Sequence, residues 1–244
     1  MAFDLSSITS GPRSQPPRIF ITGPHGVGKT TWACSAPSPI VIQTEDGLGM
    51  LETPAFPLAT TSAEVFESLA TLYNEKHDFR TVILDSADWL DNMIQKEVSA
   101  THSEKDLAYG KDTLLIAEQW RLILDWFNAL RGKGMTVILV GHVEVKRYEQ
   151  PDGDGYERYQ PKLSKRASAV VQEWADCVFF ANWKVFVKSE TVTGQKSVKK
   201  AVGNGERLLH TGEKPAFLAK NRYSLPDTLP LTWQAFIDAM PVPF

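Results

Sequence analysis

The chain has 244 residues, 43% of them hydrophobic and 23% charged, with a formal net charge of −3 and a pI near 6.0. That balance is one of a globular chain with a real core; it excludes a globally basic nucleic-acid coat, and no apolar run approaches the roughly 20 residues of a membrane span. Two cysteines, Cys34 and Cys177, rule out a disulfide framework and, with no signal-like N-terminus, lead to the expectation of a cytoplasmic protein without a membrane partner.

In chain order, residues 1–17 are rich in Ser and Pro and read as an N-terminal arm ahead of one domain over 18–244. "RIFIT" (18–22) is a short buried strand. "GPHGVGKT" (23–30) follows and fits Gly-x-x-x-x-Gly-Lys-Thr. Glycines at this spacing let backbone N–H groups curl around phosphates, the lysine reaches the β- and γ-phosphates, and the threonine hydroxyl reaches a magnesium ion. The expected nucleotide loop is therefore Gly23, Pro24, His25, Gly26, Val27, Gly28, Lys29, Thr30 and Thr31, with His25 merely exposed. It opens a helix that runs to about Ser35.

"PIVIQ" (39–43) is the next strand and leads to Glu45 and Asp46. Thr61 and Glu64 have capping-box spacing and open a helix to about Lys76. "RTVILD" (80–85) is a third strand whose last residue, Asp85, is the expected magnesium carboxylate beside Thr30. Many AAA-type ATPases place a Glu directly after that Asp; here Ser86 follows, so the residue that orients the attacking water must come from elsewhere. Glu45, at the C-terminal end of a neighbouring strand, is the candidate; ligands of open α/β sheets sit at such ends.

A helix starts near Ala87, the polar stretch 99–111 reads as a loop, and apolar residues from Leu115 to Leu130 at helical spacing predict a long helix over 112–131. "MTVILVG" (135–141) is a fourth strand, ending at His142, a candidate sensor of the γ-phosphate. Strands alternating with helices predict a mostly parallel central sheet flanked by helices. Beyond it, Lys146, Arg147, Arg158, Tyr159, Lys162, Lys165 and Arg166 form a basic, aromatic stretch suited to single-stranded nucleic acid. Glu149, Asp152, Asp154 and Glu157 lie among them, which leaves a plain solvated hairpin open. "DCVFFAN" (176–182) is a strand, short β segments continue to about Ala219, and a last helix covers 232–240. From 184 to 222 cations outnumber acids, as on a solvated hairpin or a phosphate-binding face.

"HTGEKP" (210–215) looks like the linker between zinc fingers, but a chain with two distant cysteines cannot supply the ligands. Gly212 and Pro215 then mark a turn before an expected strand "AFLA" (216–219) that buries Phe217 and Leu218 and brings Lys220 and Arg222 to one side.

The order of these parts resembles the RecA recombinase core, and "PHGVGKTT", "VILDSADWLD", "VILVGHVEVK" and "FLAKNR" are closer still to short phage-encoded RecA-like ATPases of the Sak type, which are single-strand annealing proteins. The resemblance covers roughly residues 18–225. It implies a P-loop NTPase with a RecA-like core and C-terminal β segments, using ATP and Mg²⁺. Glu45 would be the catalytic glutamate, and His142 would stand where RecA has a glutamine. Stretches 99–111 and 146–166 would be the DNA loops, and Lys220 and Arg222 would reach a neighbour's γ-phosphate. The implied function is DNA-stimulated ATP hydrolysis with annealing or strand pairing on single-stranded DNA, with self-association on DNA and a single-strand-binding protein as a further partner, in the cytoplasm of a host bacterium. A P-loop ATPase that loads or remodels a replication protein, without pairing activity, is the alternative.

Overall fold

A computed structural model describes residues 15–150, 153–192 and 196–244. The arm expected over 1–17 lies outside these except for Gln15 to Pro17. The elements run β1 (Arg18–Gly23), α1 (Lys29–Cys34), β2 (Pro39–Gln43), α2 (Ser62–Asn74), β3 (Thr81–Asp85), α3 (Ala87–Thr101), α4 (Glu104–Leu107), α5 (Lys111–Gly132), β4 (Thr136–Tyr148), β5 (Tyr156–Pro161), α6 (Lys165–Trp174), β6 (Cys177–Val192), β7 (Lys196–His210), β8 (Lys220–Asn221), β9 (Thr228–Pro230) and α7 (Trp233–Ala239).

The sheet order is β2-β3-β4-β1-β6-β7-β9, with β5 on β4 and β8 on β6. The first five strands pair in parallel and the later pairings are antiparallel, as expected of a mixed α/β fold with a mostly parallel centre. Parallel strands bury both faces, so their sequences read as apolar runs. Phe20, Ile42, Leu84 and Leu139 face one layer, where α2, α3, α5 and α6 supply Leu69, Leu90, Trp120 and Val171. Ile21, Val41, Ile83 and Val140 face the other, against Trp32 of α1 and Trp233 and Phe236 of α7. Each of these side chains is worth about 1.5–3 kcal/mol of burial.

One carboxylate ties three helices together. Buried Asp91 accepts from the Trp120 indole at 2.8 Å and from the Ser164 backbone N–H at 2.8 Å, joining α3 to α5 and to the start of α6. A second, Asp176, receives Arg18, Arg131 and Arg222 at 2.8, 3.2 and 3.1 Å. Burial pushes its carboxyl up, but the hydrogen bonds and charge of Arg18, with Arg131, hold it below the usual range.

Three expectations are corrected. The stretch 99–111 is not a loop: α3 continues to Thr101, α4 follows, and a 3-10 turn at Ala108–Gly110 delivers the chain to α5. Polar composition there marks a solvated helix rather than a break. The "short β segments" expected after residue 182 are instead the continuation of β6 to Val192 and the long antiparallel strand β7. Residues 216–219 are not a strand, since Phe217 makes only isolated bridges, to Tyr159 and Lys214; the paired residues are Lys220 and Asn221, and Leu218 is only half-buried. Among the described residues no helix is long and apolar enough to cross a membrane.

Candidate nucleotide site

Strand β1 ends at Gly23, whose φ of 156° and contact with the Ala181 carbonyl leave no room for a side chain: a Cβ would lie 2.2 Å from that oxygen. The loop turns through Gly26 and Gly28, both at positive φ, and α1 starts at Lys29. Only glycine takes such angles without strain. The result is a backbone cradle at a helix start, the arrangement that receives phosphates.

Lys29 lies across this cradle and donates to the Gly23 and Pro24 carbonyls at 3.0 Å each. Burial lowers its pKa to about 8, against the opposing pull of Asp85, Asp88 and Glu45. Thr30 Oγ1 donates to Asp85 Oδ2 at 2.7 Å. Burial raises the Asp85 carboxyl, and the Thr30 bond offsets only part of that. A hydroxyl and one carboxylate are hard oxygen donors that suit a magnesium ion carried in with phosphates. Among the described residues no group of three or more His, Cys, Asp or Glu side chains gathers to hold a metal on protein ligands alone. The donors present therefore fit Mg²⁺ shared with a nucleotide.

On the opposite wall, the Ser86 hydroxyl donates to Glu45 Oε2 at 3.1 Å, and the Asp85–Ser86 peptide is cis. Thr44 fixes this corner: its hydroxyl accepts from the Ser86 N–H at 2.8 Å and donates to the Ser86 carbonyl at 2.7 Å. His142 closes the group. Its backbone N–H and Nδ1 both donate to Asp88 at 3.1 Å, and Nδ1 lies 3.9 Å from Glu45 Oε2. Burial raises the Asp88 carboxyl, but the bonds and charge of His142 outweigh it and leave the group below its ordinary value. Because a carboxylate only accepts, Nδ1 carries the proton and Nε2 is left for another partner.

Glu45, His142, Asp85, Lys29 and Thr30 all line one cleft of about 390 Å³, together with His25, Gly26, Gly28 and Thr31. His25 is exposed, as expected, yet it also stacks on His142 with ring centroids 4.0 Å apart. That neighbour, followed by burial and Lys29, lowers its pKa.

The other expected site residues lie elsewhere. Lys146 and Arg147 are exposed on the β4–β5 hairpin and pair with Glu144 and Glu149 at 2.8 and 2.5 Å. Lys162, Lys165 and Arg166 are exposed at the foot of that hairpin and the start of α6. Arg158 is buried, bonded to Glu213 and to the Phe217 carbonyl, so it holds the 213–217 turn instead of presenting a free cation. Tyr159 packs on Phe180, centroids 5.2 Å apart. Lys220 Nζ donates to the carbonyls of Gln172, Glu173 and Ala175 at 2.7–3.0 Å, and Arg222 to Asp176. As expected the two are on one side, but they bind the end of their own α6.

Two functional contacts escape the sequence reading. Asp88 as the partner of His142 is one. The other is Arg207 on β7, whose Nη1 donates to the Val27 carbonyl at 3.3 Å and would lie 2.5 Å from a Cβ on Gly28. Its sequence signal is only a place among many cations.

A search of curated proteins finds no match for the chain. A family model described as an AAA domain matches residues 15–223, which takes in the cleft and every strand that lines it. With a glycine-rich backbone cradle, a Thr30–Asp85 hydrogen bond beside it and a match over most of its length, the chain belongs to the AAA domain family of P-loop ATPases.

Proposed function

We propose that this protein hydrolyses ATP with Mg²⁺ while bound to single-stranded DNA, and promotes annealing or strand pairing there. The observation that carries the reading is the course of β4. This one strand, Thr136–Tyr148, pairs in parallel with β1 as far as His142, then continues into the hairpin that bears Lys146 and Arg147. Cleft and hairpin thus share an element, and the Lys162 N–H donates to the His142 carbonyl at 2.9 Å. A strand of DNA on the cations of the hairpin and its foot would be one hydrogen bond from the cleft.

In the reaction the bond from the γ-phosphorus to the bridging oxygen breaks, a water oxygen takes its place, and ADP leaves. Lys29 exchanges its two carbonyl partners for phosphate oxygens. Glu45, held by Ser86, orients the water and receives its proton. His142, held by Asp88, faces the γ-phosphate and passes its presence or absence into β4. Magnesium held by Thr30 and Asp85 would supply charge neutralisation on the phosphate oxygens. Self-association along the strand and a single-strand-binding protein as a further partner complete the proposal.

The test is annealing of complementary oligonucleotides, with and without ATP. The reading predicts that the protein accelerates annealing and that ATP changes its rate or its persistence on the strand. No acceleration in either condition would favour an ATPase that loads or remodels another protein.

A further inference from the structure

Beside the cleft lies a larger groove of about 690 Å³, whose lining includes Thr44, Leu58, Trp89, Met93, Lys96 and Lys162. Trp89, Met93 and Lys96 recur at three- and four-residue spacing and so share one face of α3. The opposite face of that helix is core, with Leu90, Ile94 and Val98 buried. Trp89 stays 47% exposed, a large ring on a rigid helix with no layer above it.

The groove is cationic. Its one acid, Glu97, is taken by Ser62, which bonds it through both its N–H and its hydroxyl. The N–H groups of Thr60 and Thr61 are taken by Glu64. Among the described residues neither Lys96 nor Lys162 has a carboxylate partner. A flat apolar ring flanked by two free ammonium groups fits a base between two phosphates, because every base offers a π-face and every linkage an anion.

The groove and the catalytic cleft are lined by different residues, but three links join them. Trp89 adjoins Asp88, which holds His142. The Lys162 N–H holds the His142 carbonyl. Thr44 holds Ser86, which holds Glu45.

We propose that this groove grips single-stranded DNA, with a base stacked on Trp89 and the flanking phosphates at Lys96 and Lys162. The proposal rests on the single-strand reading above and gives it a place. An occupied groove bears on Glu45 and His142 together, which is a physical route for DNA to stimulate hydrolysis.

The experiment is fluorescence anisotropy of a labelled oligo-dT over a salt series, with wild type, Trp89→Phe, Trp89→Ala and Lys96→Ala/Lys162→Ala. Each variant is first checked for a wild-type-like thermal midpoint. Trp89→Ala should weaken binding by roughly 5- to 100-fold, the scale of one lost base stack, while Trp89→Phe keeps most of it. An oligomer of abasic sugar-phosphate should bind Trp89→Ala and wild type alike. The exposed lysine pair, which tolerates substitution even if Trp89→Ala does not fold, should reduce the slope of log affinity against log salt by roughly 1.4. If wild type binds the strand and every variant binds it equally, the groove is wrong and the single-strand reading stands. If wild type does not bind the strand at all, both fall. If the variants lose self-association in sedimentation while strand affinity is unchanged, the groove is a contact between copies and the proposal is overturned.

Discussion

Lys29 shows how burial and function meet in one side chain. Held away from water, its ammonium has a pKa of about 8, so a fraction is neutral above that pH. An incoming polyphosphate favours the charged form and must raise the value. ATP binding measured at pH 8.5 should therefore take up protons, seen in isothermal titration as an enthalpy that depends on the buffer; buffer-independent enthalpy would show that Lys29 is fully charged before the nucleotide arrives. Lys29→Ala should abolish binding, because Lys29 is the loop's own cation and Arg207, the neighbouring one, is held on the Val27 carbonyl; wild-type affinity in that variant would remove the loop from the site. Glu45→Gln keeps the bond from Ser86 but not the negative charge. Binding should persist while turnover falls roughly 10²-fold or more; if Asp46→Asn does this instead, the wrong acid has been chosen. The loop residues were legible because phosphate binding needs a contiguous spacing. Asp88 and Arg207 were not, because their partners stand 54 and 180 residues away and no local pattern announces them.

Among the elements, the parallel strands were legible as apolar runs, whereas the polar end of α3 was not, since a solvated helix has no apolar stripe to read. Strands β6 and β7 were hidden for a related reason: their outer halves mix charged, polar and small residues without a clean alternation, and pairing with each other defines them. Lys220 and Arg222 teach the sharper lesson. Alternation correctly put them on one side, but only the fold shows that α6 ends there. Lys220 donates to three carbonyls at and just past the end of α6, a C-terminal cap by a cation. Lys220→Ala should cost about 1–2 kcal/mol of stability in a denaturant melt, and no loss would mean the cap is idle. A role toward a neighbour's phosphate requires these cations to leave α6. Mixing Lys220→Ala/Arg222→Ala with Lys29→Ala on single-stranded DNA tests that: partial recovery of turnover supports action between copies, and none in demonstrably mixed assemblies contradicts it.

At the scale of the whole molecule, the five parallel strands bring Gly23, Glu45, Asp85 and His142 to one end of the sheet, where the cleft lies. β4 carries that end onward into the hairpin that bears Lys146 and Arg147, and α3 carries it to Trp89. Neighbouring elements therefore serve both the nucleotide and the proposed strand, and hydrolysis should respond to DNA. The most direct test is steady-state ATP turnover by wild type as single-stranded DNA is added. The account predicts a saturable rise in rate that is absent in Glu45→Gln. A rate indifferent to DNA at concentrations that saturate binding would contradict it.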